Sequence, residues 1–593
     1  GHASHTLKLA DGAKTTVSMP LTARAQFGSA HIDINATAGE TDVHTGRNMI
    51  VRAAWPEVAR SHTTVLTKLA PVQFTRKLTS GLIAQSMTAR MTLTSLPPLP
   101  FALSLDRLLS YPYRCLEQTT STGYGALLMT PKLAEALHMS PLGEGQRRQR
   151  VENELGRLAS LQLPNGHFSM WGGGHGEAAT FLTPYAVDFM LDARDAGFAV
   201  NNQVLQNALE RLKDDLLSGG HPYYSHEHSD HLRFADEAYS AYVLARVNRA
   251  PLGTLRNLFD NKRDDALTAL PLVHLGIALK LMGDTPRADK ALQQAFTMKV
   301  RRPWYLGDYG SDLRDMALMV MLTHKHDLAK PAWDAKLIDL ARAQASDQHE
   351  ADRHNEGRVW LSTQEEAALG RLARQLLKNG EKTVQGFWTQ GKTRHDIQPD
   401  LLWSQLFDHK ALTEGITVTP EGEPPVYTIS DVSGVPTEAP APDDSMISVK
   451  RDYFTLDGKP WDSKQPLTEG KALIVRLRIE ARKAVPDALL TDLLPGGLEV
   501  ENFNLTDTEQ WAGVIIDGIR INNRGQAADV LHESFRDDRY VAALDLRRGQ
   551  KAQVFYLVRA VSPGHFVVPP PRVADMYRPE LQVIGARTPK FIT

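Results

Sequence analysis

Residues 108–126 read LLSYPYRCLEQTTSTGYGA and hold Cys115, the one cysteine among 593 residues. Three places on stands Gln118, with Glu117 before it. Side chains at i and i+3 are neighbours on a helical turn, so this spacing puts a thiol and a carboxamide within reach of each other. A lone free cysteine is ordinarily a small buried hydrophobe, and that reading stands beside a chemical one. In the chemical one, the sulfur attacks the Gln118 side-chain carbonyl, ammonia leaves and an internal thioester remains. Sulfur overlaps poorly with the carbonyl, so an amine or hydroxyl can take the acyl group and free the thiol. That is nucleophilic chemistry run once, with the protein as acyl donor. Glu117 either orients the turn or the incoming nucleophile, or is a solvated carboxylate.

Composition bounds the rest. The chain is far longer than one core. With 67 basic and 69 acidic residues it lacks the basic excess of a nucleic-acid binder. No apolar run approaches a membrane span, and the opening GHASHTLKLADG has neither the basic start nor the apolar middle of a signal peptide. One cysteine makes no internal disulfide, so the redox compartment is not legible.

Periodicity divides the chain. SAHIDINATAG (29–39) alternates with Ala30, Ile32, Ile34 and Ala36 on one side, and SMTARMTLTSL (86–96) alternates through Met87, Ala89, Met91 and Leu93. Period-two alternation predicts sheets with one face on a core. From about 101 to 380 the period becomes helical. Helix starts are expected near 183, 236, 271, 315 and 363, with Ser362 and Glu365 forming a capping box. Their spacing suits helical hairpins closed into an α/α toroid, or a linear solenoid. After 383 the chain is β again, with a Pro/Ala/Asp linker around 434–445. KALIVRLRIE (471–480) alternates, and QKAQVFYLVRAVSPGHFVVPPP (550–571) predicts a strand pair with a Pro-Gly turn.

YPYRCLEQTTS (111–121) resembles the C-x-E-Q thioester motif of α2-macroglobulins and complement proteins, and its Leu at x is similar to the bacterial α2-macroglobulins. LPNGHFSMWGGG (163–174) followed by TPYAVDFMLDARDAGF (183–198) resembles the early repeats of that family's thioester domain. DALLTDLLPGGLEVEN, FRDDRYVAALDL and GHFVVPPPRVADMYRPE resemble its C-terminal domain. The resemblance implies a multidomain α and β chain. Residues 1–50 end a macroglobulin-like β-sandwich; 51–95 and 383–440 are two parts of a CUB β-sandwich; 96–382, the α/α-toroid thioester domain, is inserted between them; 446–593 form a final macroglobulin-like sandwich. It also implies a broad-spectrum trap that links attacking proteases covalently after cleavage of an upstream bait. The trap would be a monomer with no cofactor, periplasmic, and tied to the inner membrane only through an anchor upstream of this chain.

A stored thioester must stay dry. Tyr111 and Tyr113 precede Cys115, and Met576 and Tyr577 sit on what reads as an exposed edge segment. These four are expected to shield the bond, although Met576 and Tyr577 can instead serve only to pack the C-terminal sandwich. Two weaker signals remain. His221, His226, His228 and His231 lie within GGHPYYSHEHSDHL (219–232), a pattern that lacks the H-E-x-x-H spacing of zinc sites, so no metal is assigned. His221 is the nearest match to the histidine that steers some relatives toward hydroxyls, and it too is left unassigned. Asp188, Asp192 and Asp195 share a helical face and suggest an acid-catalysing toroid lyase or hydrolase, but they flank the apolar stripe, so a solvated face is expected. The alternatives to a trap are therefore such an enzyme, or a thioester adhesin.

Overall fold

A computed structural model describes the chain apart from residues 1–2, 24–26, 75, 173–176, 224–225, 356–360, 380–383, 440–441, 443–445, 463–464, 502–512, 522–527, 587–590 and 593. The expected boundaries at 382–383 and 440 lie outside the described residues.

Helices occupy the middle of the chain. α1 (Phe101–Ser110) and α2 (Leu116–Leu128) come first, and the expected starts fall at Thr183, Ser229, Leu270, Asp312 and Thr363. Local chemistry sets the ends. Pro184 and Pro271 stand in first turns, where a missing N–H costs nothing. Asn201 caps Asn202–Ser218, which Gly219 closes with φ 90°. The Ser362 box forms: Glu365 N donates to Ser362 Oγ at 3.2 Å and Ser362 N to Glu365 Oε2 at 2.7 Å. Thr363–Asn379 returns against both α1 and α2, and one apolar core runs through the block from Leu96 to Leu402. Gly123 of α2 allows a close approach between helices. A Cβ there would lie 2.6 Å from the Phe189 ring, so no side chain fits.

The aspartate face departs from expectation. Asp188 is 1% exposed and pairs with Arg246 and with Arg371 at 2.7 Å, while Lys325 holds Asp192 at 2.7 Å. Asp195 alone of the three is exposed. Helix Thr183–Asp195 is enclosed by its neighbours, so it buries charge as well as its stripe, and buried charge must be paired. Burial works against ionisation of Asp188, but Arg371 and Arg246 together hold its carboxyl well below the usual range.

Strands from both sides of the helical block share one sheet. Val426–Gly434 lies between Val58–Leu66 and Thr88–Thr94, and Leu402–Phe407 completes the order. A second sheet, of Val72–Gln73, Ile416–Glu421, Val384–Gln390 and Thr393–Asp400, packs on it around Met91, Leu93, Val384, Trp403 and Val418. Arg90, buried on this split sheet, donates to the carbonyl of His138 in the helical block at 2.9 Å and to Ser404 Oγ at 3.1 Å.

Two strand expectations need correction. Gly28–Ala38 and Thr41–Val51 pair in register, but the hairpin is open on both faces, with Ile34 47% and Ile50 81% exposed. Alternation fixes the pleat and does not supply a covering layer. In the C-terminal region, Ala472–Ala481 does bury Leu473, Val475, Leu477 and Ile479. It pairs with Ile447–Phe454 and Lys551–Ala560 in a sheet that faces a second one, formed by Asp529–Arg536, Arg539–Leu546, Val485–Leu493, Arg572–Asp575 and Gln582–Ile584. The Pro-Gly segment, however, joins no strand pair. Lys551–Ala560 pairs with Ala472–Ala481, and His565–Phe566 with Phe591–Ile592. Pro563 has no N–H to give a ladder, and the chain leaves the sheet there.

Candidate functional site

Cys115 is the N-cap of α2, with φ −71° and ψ 177°. Ser, Thr, Asp or Asn is the usual N-cap, because an oxygen accepts a free N–H of the first turn. Here the cap is sulfur: Gln118 N donates to Cys115 Sγ at 3.4 Å, and Cys115 N donates to Gln118 Oε1 at 3.2 Å. The thiol and carboxamide are thus locked in a reciprocal box on one turn. The backbone N–H on Oε1 is where a donor would have to stand to stabilise negative charge on that oxygen. The other end of the carboxamide, Nε2, donates to Tyr111 Oη at 3.2 Å and lies 3.5 Å from Met576 Sδ.

The turn is dry. Cys115, Glu117 and Gln118 are each 0% exposed. Met576 and Tyr577 are buried as well, which corrects the exposed edge expected for them. They belong to a small apolar cluster with Leu489 and Val541, against which Tyr113, Met170, Trp171 and Tyr309 pack. The cluster joins the helical block to the C-terminal sandwich, and burial comes from the partner face, which sequence position does not reveal. Tyr113 shares a hydrogen bond of 3.1 Å with Thr491, and Tyr111 meets Tyr113 edge-on at 5.7 Å. Tyr309 meets Tyr577 edge-on at 4.6 Å, and Trp171 stacks on His532 at 4.7 Å. Burial, then the Glu117 charge, push the Cys115 thiol far above its ordinary range. An enzyme's cysteine nucleophile needs the opposite.

Glu117 is not solvated. Ser121 Oγ donates to it at 2.5 Å, Thr363 Oγ1 at 2.7 Å and Gln364 Nε2 at 3.1 Å. Burial raises its pKa against these three bonds. The carboxylate pins the start of α2 to the start of Thr363–Asn379, and so fixes where the Cys115 turn points.

The sequence did not point to Met170, Trp171, Tyr309, Leu489 or Val541. The signals available were Trp171 as a large apolar residue in a glycine-rich loop, and Tyr309 in the aromatic loop WYLGDYG. The histidines do not join the site. His231 is buried, its Nδ1 accepts from Leu267 N at 3.1 Å, and burial lowers its pKa to about 4. His221 meets Tyr223 edge-on at 4.7 Å. Among the described residues no group of three or more His, Cys, Asp or Glu is placed to hold a metal ion.

With this geometry in view, the relatives can be placed. The bacterial alpha-2-macroglobulin MG10 domain matches residues 447–580. An alpha-2-macroglobulin of Xylella fastidiosa is 47% identical over all of this chain and 36% of its own length. The structure is similar to native Escherichia coli alpha-2-macroglobulin from domain MG7 to the C-terminus, with TM-score 0.84, 32% identity, and coverage of 95% of this chain and 87% of that one. It is similar also to Salmonella alpha-2-macroglobulin reacted with methylamine, with TM-score 0.83, 32% identity, and coverage of 95% and 36%. A helical block between β units with a sulfur-capped Cys-Leu-Glu-Gln turn thus defines the class. The chain belongs to the alpha-2-macroglobulin family, and it spans 36% of the length of the Xylella relative.

Proposed function

We propose that Cys115 and Gln118 form an internal thioester, and that the chain is the acyl-donor part of a protease trap. The observation that carries this is the reciprocal box of thiol and carboxamide on one buried turn. Bond formation joins Sγ to the Gln118 side-chain carbonyl carbon, breaks the C–N bond and releases ammonia, which takes the thiol proton. In trapping, a lysine amine of a bound protease attacks the same carbon. The C–S bond breaks, an amide forms and the thiol is regenerated. The reaction runs once per chain, so the protein is an inhibitor and not a turnover enzyme. In this reading Tyr111, Tyr113, Met576 and Tyr577 keep water out, and Glu117 holds the turn. Cleavage of an upstream bait lifts the C-terminal sandwich away.

The same reading takes 96–382 as an α/α toroid inserted into a CUB sandwich (51–95 and 383–440). Residues 1–50 and 446–593 are then macroglobulin-like sandwiches. The return of Thr363–Asn379 to α1 and α2 and the sheet shared across the insertion support it. Among the described residues no helix is long and apolar enough to cross a membrane. We assign the whole protein to the periplasm as a monomer, with any membrane anchor upstream. Intact mass is the test. The untreated chain should weigh one ammonia less than its sequence, and methylamine should add to it as one thiol per chain is released. A chain at full sequence mass that ignores methylamine ends the proposal.

A further inference from the structure

We infer that the loop 302–310 is a latch on the Met576–Tyr577 lid, and that Arg578, gripped by this loop, sets how readily the lid lifts. The inference rests on the thioester reading above.

The lid turn is built around Asp575. Its carboxylate accepts from Tyr577 N, Arg578 N and Arg578 Nε, each at 2.9 Å. Arg578 is thereby fixed in direction, and its Nη1 crosses to the Trp304 carbonyl of the helical block at 2.9 Å. The guanidinium stands 5.3 Å from the Trp304 ring centre and 5.2 Å from that of Tyr305, and the Lys483 amine stands 4.1 Å from the Trp304 ring. An indole still 52% exposed is therefore held by two cations of the C-terminal sandwich, both within cation–π range. Tyr305 Oη donates to Asp487 Oδ2 at 3.2 Å, and the Asp487 carbonyl accepts from Met576 N at 3.0 Å. The loop is braced from behind. Asp308 accepts from Arg302 at 2.8 Å and Arg314 at 3.1 Å, and Arg302 also reaches the Gly310 carbonyl at 3.2 Å. Trp304 and Tyr305 touch neither Cys115 nor Gln118 through any of these bonds; they act through the lid turn.

Asp487 adds a pH dependence. It faces Tyr305 of the loop, Asp575 and Arg578 of the lid turn and Asp545 of the neighbouring strand. Burial, then the charge of Asp575, push it up to about 7. A closed lid keeps a proton that a solvated Asp487 gives up. Closure is therefore most favoured in acid, weakens as pH rises from the ordinary carboxylate range toward 7, and levels off above it.

The test follows thiol release from the unproteolysed chain in methylamine. Arg578→Ala should release thiol about ten- to hundredfold faster than wild type, the factor expected for losing one charge-assisted hydrogen bond; Trp304→Ala keeps its carbonyl but loses both cation–π contacts and should release thiol about two- to tenfold faster. Arg578→Lys should fall between wild type and Arg578→Ala, since an ammonium cannot fork to both Asp575 and the Trp304 carbonyl. Asp487→Asn should flatten the pH dependence that wild type shows between about pH 4 and 7 in the same buffers, a comparison that cancels titration of the amine itself. Wild-type rates in both alanine variants, with unchanged melting, overturn the latch. A wild type that releases no thiol overturns the thioester reading instead, so the two failures are distinct. Should Arg578→Ala lose cooperative melting, Trp304→Ala, on the other side of the contact, carries the test.

Discussion

The helical block meets two β units and meets them by different means. Against the split sheet, the chain itself passes through the contact twice, and buried polar bonds tie the layers. Arg90 reaches the His138 carbonyl, and Arg342 of the helical block donates to Tyr427 Oη of the sheet at 3.1 Å. Against the C-terminal sandwich, the contact around Cys115 is a small apolar cluster with aromatic edges, bordered by the Arg578 and Tyr305 bonds. The first contact cannot open without unfolding a sheet. The second can part as two surfaces, and the Cys115 turn lies under the second.

The contrast is open to experiment. Gln118→Ala should abolish methylamine incorporation altogether while leaving both contacts in place, read as intact mass with unchanged melting. Asp188→Ala leaves Arg246 and Arg371 buried without their shared carboxylate and should cost about 3–5 kcal/mol of helical-block stability in denaturant melts. Asp188 bonds Arg246, Arg371 and Tyr239 and, among the described residues, none of the lid cluster, so its loss should lower stability without the selective rise in methylamine rate expected for lid variants. Met576→Ala with Tyr577→Ala removes two buried side chains, each worth about 1.5–3 kcal/mol. It should speed methylamine reaction a hundredfold or more with the split sheet intact; an unchanged rate would remove the shield from the account. Gly123→Ala forces a Cβ against Phe189 and should cost about 1–3 kcal/mol by overpacking, read as a lower Tm. Asp431, which burial pushes up to about 6, keeps its proton in the folded sheet after the unfolded chain has lost it. Its contribution to stability is full in acid and fades as pH rises to 6, so Asp431→Asn should flatten the fall in Tm between pH 4 and 6 by a few degrees at most.

What was legible in the sequence was local. The i, i+3 placement of Cys115 and Gln118, the Ser362–Glu365 box and the helix starts all depend on neighbours within a turn or two. What was not legible came from across the fold. Asp188 reads as an outer-face residue until Arg371, far along the chain, is packed against it. Met576 reads as exposed until the helical block covers it. Glu117 reads as solvated until Thr363 and Gln364 close over it. Ile34 errs in the other direction, since alternation placed it on a core that the described structure does not provide.

The shared sheet has a consequence for how the chain is made on the ribosome. Val58–Leu66 and Thr88–Thr94 are not adjacent to each other; the strand that lies between them is Val426–Gly434. At ordinary elongation rates that strand emerges about 330 residues after Thr94, a delay on the order of tens of seconds. During that interval two strands wait with unpaired edges while the helices between them fold. Nascent-chain holding factors are therefore expected to matter most for this stretch.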